Sequence, residues 1–491
     1  MGDLLMPVAY NFKPGVDLPS WQWLSFFPGG PSYHGTASCY DGVRYIYWVI
    51  QFGSTATTVS TSNLYRYDTW TNGWQYMAVI TSGNRGMDIE FDELRNVLHI
   101  INGGGLTSWQ IFNLNVTSVT VANTACAAWA LTTIATVLPV VADYGASLTM
   151  TTDLDLPAVI DDGIAEVAGN TTSTVVATAA TGSYGVGMVG LQLRVTSGAQ
   201  VGARRTITSV TNKTTVVVAP VLGGALASTD TFVIELLAST STAGSATTVT
   251  DTNYSWIVNQ YTDHDVLITG GTGTGQRRRI ASNTATVLTL AAAVTGNART
   301  GNFATPPDAT SVYRIVPSND FLYYQPGNGN SALYRIDVAQ TTGIAFSANL
   351  GAAPAVIGPG SNTFYAGAYA PGYIMALRGA ATATIYMFNI GTKAWTTLPT
   401  FAGSETFTTG ANACMLHGER KLFVQKEGQG RCYNFDLTTG ILEPAGVLPY
   451  ASPGAYDGKR ARFVKTPDGV EWVYLMRAGG QEFYRIPLEW V

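Results

Sequence analysis

The sequence predicts an all-β fold: a six-bladed β-propeller carrying an inserted tandem of two small β-barrel or sandwich modules. Three observations lead there. The first is composition. The 491 residues include 53 glycines and abundant Thr, Val, Ser and Tyr, and no segment shows sustained helical periodicity. The second is a hairpin written several times: NLYRYDTWTNGWQYM (63–77), ALYRIDVAQTTGIAF (332–346), TIYMFNIGTKAWTTL (384–398) and RCYNFDLTTGILEPA (431–445). Weaker copies are WQIFNLNVTSVTV (109–121) and EFYRIPLEWV (482–491). The third is the spacing. Aligned on Tyr67, Phe112, Ile336, Phe388, Phe435 and Ile486, the copies step by 45, 224, 52, 47 and about 50 residues. Propeller blades repeat every ~40–50 residues. The single long step therefore hides one ordinary repeat of about 48 residues plus roughly 175 extra residues.

Each unit reads as a four-stranded blade. In the first, GTASCYDGVRYIYWVIQFG supplies two strands, and NLYRYDTW with GWQYMAVI supplies two more. The second opens with GMDIEFDELRNVLHIINGGG, the fourth with NTFYAGAYAPGYIMALRGA, the fifth with ANACMLHGERKLFVQKEG and the sixth with ARFVKTPDGVEWVYLMRAGG. The third starts at GASLTMTTDLDL and resumes at NDFLYYQPGNGN, so the insertion falls between its first and second strands. A lone twisted sheet buries little; sheets stacked radially bury both faces. An acid just before the turn caps backbone N–H groups, and the tryptophan after it is an apolar wedge between blades. The sixth unit lacks an outer strand. The aromatic segment SWQWLSFF (20–27) belongs to no unit and is expected to supply it, joining the chain ends. The expected organisation is a propeller over 1–157 and 318–491, and an inserted domain over 158–317 with sub-repeats at about 169–238 and 241–317.

Within the insertion, GLQLRVTSGAQVGARRTITSVTNKTTVVV and HDVLITGGTGTGQRRRIASNTATVLTL share one order: strand, glycine loop, arginines, strand, Thr/Asn turn, strand. Two tandem β modules explain the duplication.

Bulk numbers exclude several classes. Only 12% of residues are charged, mean hydropathy is +0.13, and the net charge is −5 with a pI near 5.4. A nucleic-acid-binding domain carries a basic excess that is missing here. The N-terminus MGDLLMPVAYNFKPG lacks the layout of a secretory signal, Met6 stands where a myristoylation motif wants Ser or Thr, and no apolar run reaches the ~20 residues that span a bilayer. Synthesis in the cytoplasm, without membrane insertion, is expected. Cys39, Cys126, Cys414 and Cys432 form no CxxC pair; buried free thiols are favoured over a Cys414–Cys432 bridge.

The repeat resembles the kelch repeat over about 300 residues. The matching features are a glycine break after the second strand (Gly103-Gly104-Gly105, Gly479-Gly480), then Tyr-Asp (Tyr67-Asp68; variants Phe435-Asp436, Phe388-Asn389), then a Trp after a short turn. Blades one, four and five lack the glycine doublet. The insertion resembles small β modules that recur in tail, baseplate and decoration proteins of tailed bacteriophages. The resemblance rests on ITGGTGTGQRRRIASNTATVLTL and the closing PDATSVYRI. It implies a virion component.

The chemical readings are weaker than their structural alternatives. GGTGTGQRRR is followed by strand-like alternation rather than Lys-Ser/Thr and a helix, so it is no phosphate loop. Copper oxidase chemistry, known on kelch-like propellers, needs gathered His and Tyr ligands; His34, His99, His264 and His417 lie in different units. Asp153, Asp155, Asp161 and Asp162 would suit a glycosidase pair but read better as an acidic junction, and their spacing is not that of a calcium loop. Trp21, Trp23 and Trp70 would stack sugars if exposed, but core packing explains most tryptophans of a propeller. The arginines Arg204, Arg205, Arg277, Arg278 and Arg279 are either solvated strand positions or an interface with carboxylates of a neighbouring subunit. The expectation is a non-enzyme with no catalytic residue, cofactor or metal. It would be a structural and interaction part of a tailed-phage virion (tail, neck, baseplate or fibre attachment), present in several copies or as a homo-oligomer among other virion proteins. The alternatives are an adhesin binding host-surface glycans and a propeller enzyme acting on glycans.

Overall fold

The computed structural model describes residues 22–28, 35–51, 60–83, 85–151, 159–179, 184–342, 344–398, 406–407, 411–416, 421–426, 431–437, 441–447, 461–466, 469–477 and 480–487. Among them the chain is all-β, built from antiparallel sheets with two short 3-10 turns and no α-helix.

Six sheets follow the repeat. The first is Ala37–Tyr40, Tyr45–Gln51, Ser60–Asp68 and Gly73–Gly83. The second is Asp88–Asp92, Val97–Ile101, Trp109–Asn113 and Leu131–Thr133. The third is Ser147–Met150, Phe321–Gln325 and Tyr334–Asp337. The fourth is Asn362–Tyr365, Tyr373–Leu377, Ile385–Asn389 and Trp395–Thr397. The fifth is Asn412–Met415, Lys421–Gln425, Arg431–Asp436 and Leu442–Val447. The sixth is Ala461–Lys465, Glu471–Met476, Glu482–Pro487 and, from the other end of the chain, Gln22–Phe26. Gln22 lies opposite Arg485 and Phe26 opposite Glu482. The third sheet lacks a regular fourth strand. Residues 344–350 take its place, with Ser347 N–H donating to Arg335 O (2.7 Å) and Leu350 N–H to Leu333 O (2.8 Å).

The six anchor residues share one register. Each sits on the third strand of its sheet and faces an apolar residue of the second: Tyr67–Ile46, Phe112–Leu98, Ile336–Leu322, Phe388–Ile374, Phe435–Leu422 and Ile486–Val473. None of the six is more than 2% exposed. The acid or amide that follows caps its turn: Asp68 accepts from Trp70 N–H (2.9 Å), Asn113 from Asn115 N–H (2.9 Å), Asp337 from Ala339 N–H (3.0 Å) and Asn389 from Thr392 N–H (2.9 Å). Gly103, Gly104 and Gly105 all take left-handed φ values of 65–77°, the conformation a side chain resists.

The first strands neighbour one another in chain order, and Ala461–Lys465 of the sixth sheet neighbours Ala37–Tyr40 of the first. Each consecutive pair of sheets encloses an apolar cluster. The sixth and first sheets share one too, in which Trp48, Tyr67 and Trp74 pack against Phe483 at 4.7–5.5 Å between ring centroids.

The insertion forms two sheets of matching topology. In the first, strand order is Val159–Ile164, Thr231–Glu235, Gln192–Val195, Arg204–Asn212, Thr215–Ala219, Thr174–Val176. The second runs Ala238–Thr240, Val312–Pro317, His264–Gly270, Arg277–Asn283, Val287–Leu290, Thr248–Thr250, then the short Ala243–Gly244. The edges of the first sheet meet: Glu166 N–H donates to Val176 O and Thr178 N–H to Ile164 O, both at 2.8 Å. Val159–Ile164 thus belongs to the first module although it precedes the sub-repeat visible in sequence. Each module has its own core, around Phe232 and Ile234 in one and Tyr313 and Ile315 in the other. Tyr261 O–H ties them together by donating to Gly190 O (2.7 Å).

Candidate functional site

The densest polar constellation among the described residues lies where the second module meets the second and third sheets. Strand alternation sets its geometry. In Arg277–Asn283 the side chains of Arg277 and Arg279 share one face, and Arg278 takes the other. Arg279 is 5% exposed. It donates to Asp337 Oδ2 (2.5 Å) and Asp320 Oδ2 (2.6 Å), and its guanidinium lies 4.2 Å from the Phe321 ring centroid. Arg95 reaches the other Asp320 oxygen (2.6 Å) and holds Asp92 (2.9 Å), which is 3.5 Å from His99. Asp265, across the strand from Arg279, takes Arg277 at 2.7 Å and Arg299 at 3.1 Å. Four guanidiniums thus interleave with four carboxylates: Arg95, Arg277, Arg279 and Arg299 with Asp92, Asp265, Asp320 and Asp337. A second knot lies beside it, where Asp263 of the module pairs with Arg335 of the third sheet and Lys393 of the fourth.

Burial alone would raise every one of these carboxyls. At Asp320 the guanidiniums of Arg299, Arg279 and Arg95 outweigh burial and hold the group below the usual carboxylate range. Burial is likewise outweighed at Asp92, by His99 and Arg95, and at Asp263, by Arg335 and Lys393. At Asp265 burial prevails over its three arginines and pushes the carboxyl up. Burial also lowers His99, and lowers His264 to about 4. The arrangement serves to hold two units together. Truncating one partner of such a network is costly, whereas the intact network mainly fixes orientation.

The first module docks by shape. Its turn Val186–Met188 packs against the turn Gly367–Tyr369 of the fourth sheet, so closely that a Cβ on Gly187 would come 2.4 Å from Ala370 Cβ. Where both modules meet the fourth sheet there is a cleft of about 30 Å³, lined by Gly190, Gln260, His264, Ile315, Gly372 and Tyr373. That volume suits a water molecule or two rather than a sugar.

The five arginines singled out in the sequence separate. The partners of Arg277 and Arg279 belong to the same chain. Arg278 donates to the carbonyls of Asn302 (2.8 Å) and Arg277 (2.8 Å). In the first module, Arg205 donates to Val221 O (3.0 Å), while Arg204 stands 4.0 Å from Glu235, whose nearer partner is Arg194 at 3.0 Å. Asp161 and Asp162 are neighbours on one strand and point to opposite faces. Asp153, Asp155, His34, His417 and Trp21 lie outside the described residues. No group of three His, Cys, Asp or Glu that would hold a metal occurs among the described residues. All four cysteines are buried free thiols. Trp23 and Trp70 are 44% and 48% exposed. Among the described residues no helix is long and apolar enough to cross a membrane.

Sequence reasoning missed the carboxylate half of the junction. Asp320 and Asp337 sit at the third sheet, 41 and 58 residues along the chain from Arg279, and Asp92 is paired with Arg95, three residues on, an arginine outside the runs singled out in the sequence. The signal present was Asp337, the Tyr-Asp position of the third hairpin, which caps its turn and also accepts Arg279.

No family model matches the chain, and no curated protein matches it. Among solved structures, one similar chain comes from "Crystal Structure of Mitotic Checkpoint Complex": 9% identity, TM-score 0.34, covering 99% of this chain and 98% of that one. Another is a functionally unknown protein from Desulfotomaculum acetoxidans, with 10% identity, TM-score 0.32 and 87% of each chain covered.

Proposed function

We propose that this chain is a non-enzymatic platform of a tailed-phage virion: a six-bladed, kelch-like β-propeller closed by its N-terminal strand, bearing two β modules as a rigid arm. The observation that carries the reading is the buried junction of four arginines and four aspartates. A catalytic insertion usually needs to move over a pocket. Here the insertion is pinned by charges whose misplacement would leave carboxylates buried and unpaired. The cyclic neighbour order of the six first strands supports a propeller. The duplicated module topology supports the likeness to tail and baseplate modules. Rigid surfaces held at a fixed angle suit assembly, where several copies must meet partners in one geometry. The partners are other virion proteins and further copies of this chain. The test is to label purified tailed particles with antibody against the chain. Gold at one fixed location on the tail or neck is expected; a chain found only in the particle-free fraction would overturn the assignment.

A further inference from the structure

Beyond that role, and independently of it, the seam between the first and second sheets carries a row of alternating aromatic rings and guanidiniums. Arg44 lies 4.6 Å from the Trp70 ring centroid and 5.1 Å from that of Tyr45; Arg66 lies 4.4 Å from Tyr45 and 5.6 Å from Trp129. The two arginines differ in what they have left to offer. Arg44 is committed to Asp68 through two hydrogen bonds, Nε to Oδ1 (3.0 Å) and Nη2 to Oδ2 (2.5 Å). Arg66 donates Nε–H to Gln75 Oε1 (2.6 Å), and among the described residues no carboxylate lies within ion-pair distance of it. Its two terminal nitrogens, held between two rings, form an oriented fork that no acceptor among the described residues meets. Trp129 stands beside it, 47% exposed, with a left-handed backbone at φ 51°. A bulky residue in that region is strained, and such strain concentrates where a ligand is met. Trp129 keeps one edge contact, to Phe112 at 6.4 Å, and turns much of its ring to solvent.

We infer that Arg66 and Trp129 form a subsite for a glycan bearing a carboxylate, a uronic or nonulosonic acid residue. The pyranose ring would stack on the Trp129 indole. The carboxylate would take the two Nη donors of Arg66 in the planar, two-bond geometry that a guanidinium matches. Gln75 and Tyr45 hold the guanidinium in place, so little side-chain freedom is lost on binding. One uncommitted cation fits a single carboxylate. A nucleic-acid strand needs a track of cations along its phosphates, and neither this seam nor the net charge of −5 supplies one.

The test titrates the full chain with tetragalacturonate and with a sialic-acid tetramer, following heat and tryptophan fluorescence. A neutral maltotetraose and a short oligothymidylate serve as comparators. Saturable binding of at least one acidic glycan is expected, about tenfold or more above the neutral sugar. Arg66→Met should bring acidic binding down to the neutral level, Arg66→Lys should fall between, and Trp129→Ala should weaken both sugars. Thermal melting checks each variant, and the Arg66 variants carry the test if Trp129→Ala does not fold. Absence of binding to both acidic glycans would overturn the inference. So would an Arg66→Met variant that binds as the wild type does, or an oligothymidylate that binds more tightly than either glycan.

Discussion

Replacing Arg279 with methionine removes one guanidinium from the junction and keeps much of its aliphatic volume. Asp320 and Asp337 lose a hydrogen-bonded partner, and Asp265 loses a charge 3.9 Å away while keeping Arg277 and Arg299. Asp320 retains Arg95 at 2.6 Å and Arg299 at 3.8 Å. Asp337 retains an amide, Asn297 Nδ2 at 3.1 Å. Breaking a buried pair from one side costs about 3–5 kcal/mol; the partners left to Asp320 place the loss near the lower figure. Arg278→Met is the matched comparison, because that side chain is half-buried and bonds only to carbonyls, a loss of about 0.5–1.5 kcal/mol. Urea denaturation followed by both near-UV and far-UV signals separates loosening of the module from global unfolding. Arg279→Met should lower the midpoint of the transition that includes the second module by several times the Arg278→Met effect. A double variant adding Asp337→Asn should recover part of the loss, since the stranded charge is gone. Equal small effects for Arg278→Met and Arg279→Met would refute the claim that this network fixes the arm.

Other outcomes follow from the same contacts. Phe27 is 1% exposed and sits edge-on to Tyr65 (4.7 Å) and Trp74 (5.2 Å), joining the N-terminal strand to the first sheet; Phe27→Ala should cost about 3–5 kcal/mol in equilibrium unfolding. Burial raises all four thiols, Cys414 to about 12, so iodoacetamide at pH 8 should leave the native chain unmodified by mass and add four groups after denaturation. Asp92, Asp263 and Asp320 lie below their ordinary carboxyl range when folded. Their contribution is therefore present above about pH 4 and is lost as pH falls through their folded values, so acid titration of stability should show a drop below about pH 4 that Asp320→Asn reduces.

The repeat of four-stranded sheets was legible because each hairpin must bury its anchor at the same register. Tyr67, Phe112, Ile336, Phe388, Phe435 and Ile486 could be aligned before any strand was placed. The duplicated module was legible for the same reason, its Gly-rich loop and arginines recurring at one offset. The inward turn of Arg279 was not. Period-2 alternation separates it from Arg278, but which face meets the sheets depends on docking, and the carboxylates that draw it inward, Asp320 and Asp337, both lie at the third sheet. Val159–Ile164 was missed because its exposed positions give it little apolar alternation. The missing fourth strand of the third sheet was hidden because 344–350 keeps the apolar residues of a strand without its regular ladder. Trp129 gave no signal at all, since its position is set by a left-handed residue in an irregular segment.

The proposed role requires the inserted modules to stay locked to the body of six sheets. Small-angle X-ray scattering of the purified chain at 0.1 M and 1 M salt tests this directly, because buried charge pairs are screened far less than exposed ones. A single compact profile with the same maximum dimension at both salt concentrations is predicted. A profile that demands a spread of arm positions, or that lengthens at high salt, would contradict it.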